Sequence, residues 1–352
     1  MTVTPSDRPH QVVAMVHVHS TTAILNTSYA QLLGIPAPSK NEMSFLEDIV
    51  TGLQAVLQSV REPLIFQVAS RDSIRSIALL APESRPFIDQ FKQLPFVQYL
   101  INRAVREVEI YVRNGISCVE IENVGAPYFL GAGQCPWEDL LAIYVVTEET
   151  RRKFTNLVIG AHILSCNELE VLPIAVAHGC YFVRSEATLF HGTRPEGETN
   201  NASNLARFLY VRNILQTKMG GNALFPMIWS DILKKHTVFP LELQDIEVWL
   251  HNITFAKLEG VIVTGKETGS NVDEVSLAKA REYVTKAKLW NKTQFGSTPT
   301  LPVVTGSGLD FQMYKKYADF MIVGTGFKRG QYWENEVDEA EVTRVMAQIN
   351  GD

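Results

Sequence analysis

The sequence predicts a (β/α)8 TIM barrel, and three observations carry that expectation. From Pro95 onward, short apolar β-branched runs alternate with amphipathic stretches of helical length, the pattern of a parallel sheet covered by helices. With Val12 to His19 included, eight such runs can be counted, which favours a closed barrel over an open doubly wound sheet. The last two runs, ending in Gly306-Ser307-Gly308 and Gly324-Thr325-Gly326, present bare backbone amides where such a barrel builds a phosphate cradle.

Composition fits a globular protein. The chain has 352 residues, 46% hydrophobic and 20% charged, long enough for one barrel of about 250 residues plus an insertion. No apolar run reaches the roughly 18 residues that span a bilayer. A formal charge of −6 without a basic block excludes a surface that tracks nucleic-acid phosphates. Met1 to Gln11 has neither a secretory nor a transit-peptide pattern, so a cytoplasmic location is expected. Cys118, Cys135, Cys166 and Cys180 lack CxxC spacing and read as buried thiols rather than zinc ligands or disulfides.

Taken in order, Val12 to His19 is the first strand, with His17 and His19 on one face because side chains alternate. Residues 20–93 interrupt the rhythm. They hold a Pro-rich loop, a helix over Ser44 to Val60 with Phe45, Ile49, Leu53, Val56 and Val60 at helical spacing, and two short runs, Leu64 to Ala69 and Ile74 to Leu80, that read as a hairpin. A segment leaving the C-terminal end of a first strand is placed to act as a lid or a subunit contact in a homo-oligomer.

Beyond it the reading is helix Val97 to Arg113, strand Ser117 to Val124, helix Trp137 to Lys153, strand Leu157 to Leu164, helix Glu168 to Ala177 and strand Tyr181 to Ala187. Helix Asn204 to Leu215, strand Leu224 to Leu233, helix Leu241 to Phe255, strand Gly260 to Thr264 and helix Val275 to Leu289 follow. The two glycine-ended strands enclose helix Phe311 to Tyr317, and Val337 to Ile349 closes the chain. One barrel domain, 12–19 with 95–349, accounts for all of it.

Five stretches, Glu122 to Tyr128, Asp231 to His236, Val261 to Gly269, Val303 to Gly308 and Asp319 to Lys328, resemble in order and spacing the motifs of the BtpA family. The resemblance implies a TIM barrel of the ribulose-phosphate-binding-like kind. The family takes its name from a protein implicated in photosystem I biogenesis, which implies a non-catalytic assembly or stability factor as one alternative. The chain departs from the family pattern at four places: the long segment after strand one, the lack of the acidic residue usual just after the Glu122-Asn123 pair, His162 to Asn167, and Arg184-Ser185-Glu186.

Candidate residues follow from position, because the functional face of such barrels is the C-terminal end of the strands. Gly306, Ser307, Gly308, Gly324 and Thr325 are read as an anion cradle for a phosphorylated small molecule, a sugar phosphate or a nucleotide, with Lys328 neutralising it and Thr264, Gly265, Thr268 and Gly269 extending it. Asp231, Lys235 and His236 at the end of strand five form an acid/base set, Lys235 also qualifying as a Schiff-base amine. Glu122 and Asn123 stand across the mouth. Glu120 and Glu122 share the interior face, where like charges recruit a cation or raise each other's pKa. Arg184 and Glu186 share a face on strand four, and Arg184 is equally read as satisfying these carboxylates in an interior ion network. The polar loop His191 to Ser203, with Arg194, Glu196 and Gly197, is a candidate binding loop.

No cofactor is predicted by the main reading. A second alternative is a metal-dependent barrel hydrolase, with a divalent metal on His17, His19, His162 and His236. Strands six and eight lack the histidine and aspartate such enzymes also need.

Overall fold

The computed structural model describes residues 11–20, 37–59, 74–124, 129–186, 189–194, 197–198, 205–218, 226–265, 272–295, 301–306 and 310–351. Within them, eight parallel strands close into a barrel: β1 (Gln11–His19), β2 (Cys118–Val124), β3 (Val158–His162), β4 (Phe182–Ser185), β5 (Met227–Ile232), β6 (Gly260–Thr264), β7 (Val303–Gly306) and β8 (Phe320–Val323). Neighbours in sequence are neighbours in the sheet, and β8 pairs with β1 to close it.

Strand alternation divides each strand between two cores. Val12, Ala14, Val16 and Val18 of β1 face the surrounding helices, whereas Val13, Cys118, Phe182, Trp229, Ile262, Val304 and Ile322 fill the interior. Phe182 stacks on Trp229 with ring centroids 3.9 Å apart, and Phe320 leans on the indole at 5.1 Å. The rings need room that two neighbours provide: a Cβ on Gly160 would lie 2.0 Å from Phe182, and one on Gly260 2.3 Å from Trp229. These aromatic side chains plug the barrel axis below its C-terminal end.

The helices are α1 (Lys40–Ser59), α2 (Arg85–Lys92), α3 (Pro95–Arg113), α4 (Trp137–Lys153), α5 (Glu168–Ala177), α6 (Leu205–Lys218), α7 (Ile246–Phe255), α8 (Glu274–Phe295), α9 (Phe311–Tyr317) and α10 (Glu339–Asn350). Where the sequence reads one helix from Leu241 to Phe255, the structure has a 3-10 turn, Leu241–Leu243, and then α7. The Asp245 side chain accepts from Glu247 N and starts the new helix, as an N-cap does.

The inserted segment contains the expected helix, α1, burying Leu46, Ile49, Leu53 and Val56. The expected hairpin is corrected in its second half: Ser76–Leu80 is a 3-10 turn rather than a strand. Its polar backbone is met by a side chain instead of a partner strand, since Glu170 of α5 accepts from Ser76 N at 2.8 Å and Arg75 N at 3.2 Å. The first run, Leu64 to Ala69, lies outside the described residues. The described part of the insertion rests on the barrel flank, with Arg85 and Lys92 paired to Glu148 of α4.

Candidate functional site

The register that closes the barrel brings the chemistry together. It sets His17 beside Glu122 and Glu122 beside His162, all facing inward above the apolar plug. His17 Nε2 lies 3.6 Å from Glu122 Oε1, and His162 Nδ1 lies 3.1 Å from Glu122 Oε2 and 3.4 Å from Glu120 Oε1. The other ring nitrogen of His162 is 3.6 Å from Glu186 Oε1.

Arg184 and Asp231 form the next pair. The guanidinium donates from Nε to Oδ1 at 3.2 Å and from Nη2 to Oδ2 at 3.1 Å, a two-point contact that an ammonium could not make. Lys234 Nζ reaches Glu186 at 2.6 Å and Asp231 at 3.7 Å. Glu186 also takes Arg194 at 3.1 Å and the amides of Ser165 and Cys166 at 3.0 and 3.1 Å. Ser165 and Cys166 both adopt left-handed φ, 67° and 60°. Successive amides turned this way form a small anion nest, here filled by a carboxylate of the same chain.

Burial and charge set the protonation states. For His162, burial alone lowers the pKa, but Glu120, Glu122 and Glu186 carry it up to about 9, so in the absence of a bound metal ion the ring holds its proton at neutrality. Burial would raise the Glu122 carboxyl, yet contact with His162, and the charges of Arg184 and Lys235, hold it below the ordinary range. His17 is pushed down to about 3 by burial and then by Lys328, and stays neutral. Lys235 is lowered to about 8 by burial, reinforced by its cationic neighbours Lys234 and Arg184. An amine so poised is partly unprotonated near neutrality and serves as a base or nucleophile.

Among the described residues, the other side of the mouth carries little charge. Gly306 pairs with Thr264 across β7 and β6. Among the described residues a Cβ on Gly306 would meet only ordinary contacts, the nearest being Thr264 Cγ2 at 3.5 Å, so packing against them does not require glycine there. Thr264 Oγ1 is buried and has no hydrogen-bond partner. Gly324 differs, since a Cβ there would lie 2.7 Å from Met15 Sδ, and close packing on β1 accounts for it. Thr325 opens a 3-10 turn, Thr325–Phe327.

Several expectations shift. Asp231 has Arg184 and Lys234 as partners where sequence reasoning offered Lys235 and His236. His236 is exposed with φ 60°, turned out by the loop that brings Lys234 and Lys235 to the mouth. Lys328, expected to neutralise an anion, has no exposed surface and donates to Glu107 of α3 at 3.0 Å; a buried ammonium needs such a carboxylate. His19 is buried with neither ring nitrogen hydrogen-bonded, while His17 and His162 meet through Glu122. Asn123 accepts from Leu164 N at 2.8 Å and braces the loop after β3. Ser307, Gly308, Thr268, Gly269 and Glu196 lie outside the described residues. All four cysteines are free and buried. Among the described residues no helix is long and apolar enough to cross a membrane.

Lys234 was missed by sequence reasoning. Its signal was its place next to Lys235, and alternation along a strand gave no warning that a loop would turn both inward.

A closed parallel eight-stranded barrel with a titratable cluster at the C-terminal ends of its strands defines the class: a TIM barrel with a candidate site on its usual functional face. The BtpA family model matches residues 79–351, well over half of the chain, and the chain belongs to the BtpA family. An uncharacterised mitochondrial protein of Caenorhabditis elegans is 25% identical over 264 residues, 71% of this chain and 84% of that protein. An uncharacterised protein of Pyrococcus abyssi is 24% identical over 276 residues, 74% of this chain and 95% of its own length. Among solved structures, a dihydropteroate synthase from Xanthomonas albilineans aligns over 98% of this chain and 93% of its own, with 11% identity and a TM-score of 0.46.

Proposed function

We propose that this protein is an enzyme acting by proton transfer on a small molecule that carries a phosphate or a comparable anion, bound at the C-terminal mouth of the barrel. The observation that carries the reading is the unpartnered Thr264 hydroxyl beside Gly306, on the strand next to the one that leads to Lys235 and across the barrel from Glu122. A buried hydroxyl without a partner is disfavoured, and a glycine whose missing side chain no described residue fills leaves room for a ligand oxygen. Lys235, lowered to about 8, and the Glu122 and His162 pair supply groups able to give and take a proton.

Anion binding is tested by thermal shift with inorganic phosphate, sugar phosphates and nucleotides on the wild type and on Gly306→Asp. At least one phosphorylated compound raises the wild-type Tm, as selective binding to the native state must, and the variant loses the rise. No shift across the panel overturns the reading. In a turnover assay on a stabilising compound, Lys235→Met lowers kcat with little change in Tm. Turnover unaffected by that change removes Lys235 from the chemistry. A non-catalytic assembly factor, the alternative implied by the family name, has no need of either feature.

A further inference from the structure

Glu120, Glu122 and His162 offer one ligand atom each within 4.8 Å of one another, and all three side chains are buried. Such a cluster gains meaning from what its members lack. Glu120 is completely buried, and neither carboxylate oxygen has a hydrogen bond, although His162 Nδ1 and Arg184 Nη1 stand at 3.4 and 3.6 Å. Buried carboxylates normally accept several hydrogen bonds. Arg184 cannot turn to Glu120 without leaving Asp231, which holds two of its donors. His17 Nδ1 is likewise buried without a partner, while its Nε2 faces Glu122 at 3.6 Å.

We propose that this cluster is a binding site for a divalent transition metal, with Glu120, Glu122 and His162 as ligands and His17 as the neighbouring donor that completes or steadies the set. Two carboxylates with imidazole suit zinc, manganese or ferrous iron, not the all-oxygen shells of calcium. Ligand atoms about 2.1 Å from a common ion lie at most about 4.2 Å apart. His162 Nδ1 already lies within that limit of both carboxylates, at 3.1 and 3.4 Å, and since no pair exceeds 4.8 Å any closing needed is small enough for rotation of a glutamate side chain. The ligands come from β1, β2 and β3, away from Thr264 and Gly306, so the proposal does not rest on the anion reading. A metal bound here would supply a Lewis acid to a substrate oxygen. The competing arrangement, in which the proton on His162 alone bridges the carboxylates, takes up no metal.

The test uses the full chain, stripped with EDTA and titrated separately with zinc, manganese and ferrous chlorides by calorimetry and thermal shift, beside the metal content of the protein as purified. We expect about one ion per chain and a Tm that rises with the bound metal. Glu120→Gln and His162→Gln each weaken binding by roughly 100-fold or more, and both are checked for folding by circular dichroism. Should either fail to fold, Glu120→Asp, which keeps the charge but withdraws the ligand, weakens binding less. Absence of heat and shift with all three metals at millimolar concentration overturns the proposal. Affinity unchanged in every folded variant does so as well, because the ion then sits elsewhere.

Discussion

The two sides of the barrel mouth are built on opposite terms. Over β1 to β5 the interior is crowded with ionisable groups that satisfy one another, Arg184 with Asp231, Lys234 and Arg194 with Glu186, and His162 with Glu122. Over β6 and β7 it is sparse, and Thr264 and Gly306 face a space that no side chain among the described residues fills. The crowded side depends on these pairs staying intact, because a buried charge stripped of its partner is strongly destabilising. The sparse side tolerates change in the fold and is sensitive to it only through a ligand.

Four measurements sharpen or break this contrast. The largest effect is expected from Arg184→Met, which removes both hydrogen bonds to the buried Asp231 carboxylate and leaves it only Lys234 at 3.7 Å, lowering unfolding free energy in urea by about 3–5 kcal/mol. Adding Asp231→Asn should recover most of that loss, and a double variant no better than the single one would show that the pair is not the source. Next comes pH. In metal-free, EDTA-treated protein His162 has its folded pKa raised from 6.5 to about 9, so its contribution is complete below 6.5 and lost as pH rises through 9. The unfolding free energy should fall across that window, by an amount on the order of 3 kcal/mol. The fall should vanish in His162→Gln. Lys235, lowered to about 8, acts in the opposite sense above pH 8, which is why the comparison is made between variant and wild type.

Gly324→Ala should cost about 1–3 kcal/mol, because its Cβ meets Met15 and a filled core resists an extra carbon. Gly306→Ala should change stability by no more than about 0.5 kcal/mol, while weakening retention of any phosphorylated ligand that raises the Tm. Equal destabilisation by the two alanines would erase the distinction between a glycine kept for packing and one kept for space.

The barrel was legible because its signal is repetitive. Each strand and helix carries its own periodicity, so errors at single boundaries, as at Leu241 to Phe255, do not disturb the count. The inward placement of Glu120, Glu122, Arg184 and Asp231 followed from alternation alone. Partner choice did not, because it depends on register and on loop backbone that no local pattern encodes. Lys234 enters the site through a loop flanked by left-handed Leu233 and His236, φ 47° and 60°. Two of the departures from the family pattern, at His162 to Asn167 and at Ser185-Glu186, look unrelated in sequence. In the fold they are one feature, the Ser165 and Cys166 amides holding Glu186. Lys328 was misjudged because a lysine near a strand end gives no sign of which side of the sheet its stem will take.

The stacked Phe182 and Trp229 have a consequence for traffic. A barrel stoppered at its base is a vessel with a single opening, so whatever reaches Glu122 and Lys235 arrives and departs through the same rim. Incoming and outgoing molecules then compete for one doorway, and the loops at that doorway govern the pace of exchange as much as the groups within govern the chemistry.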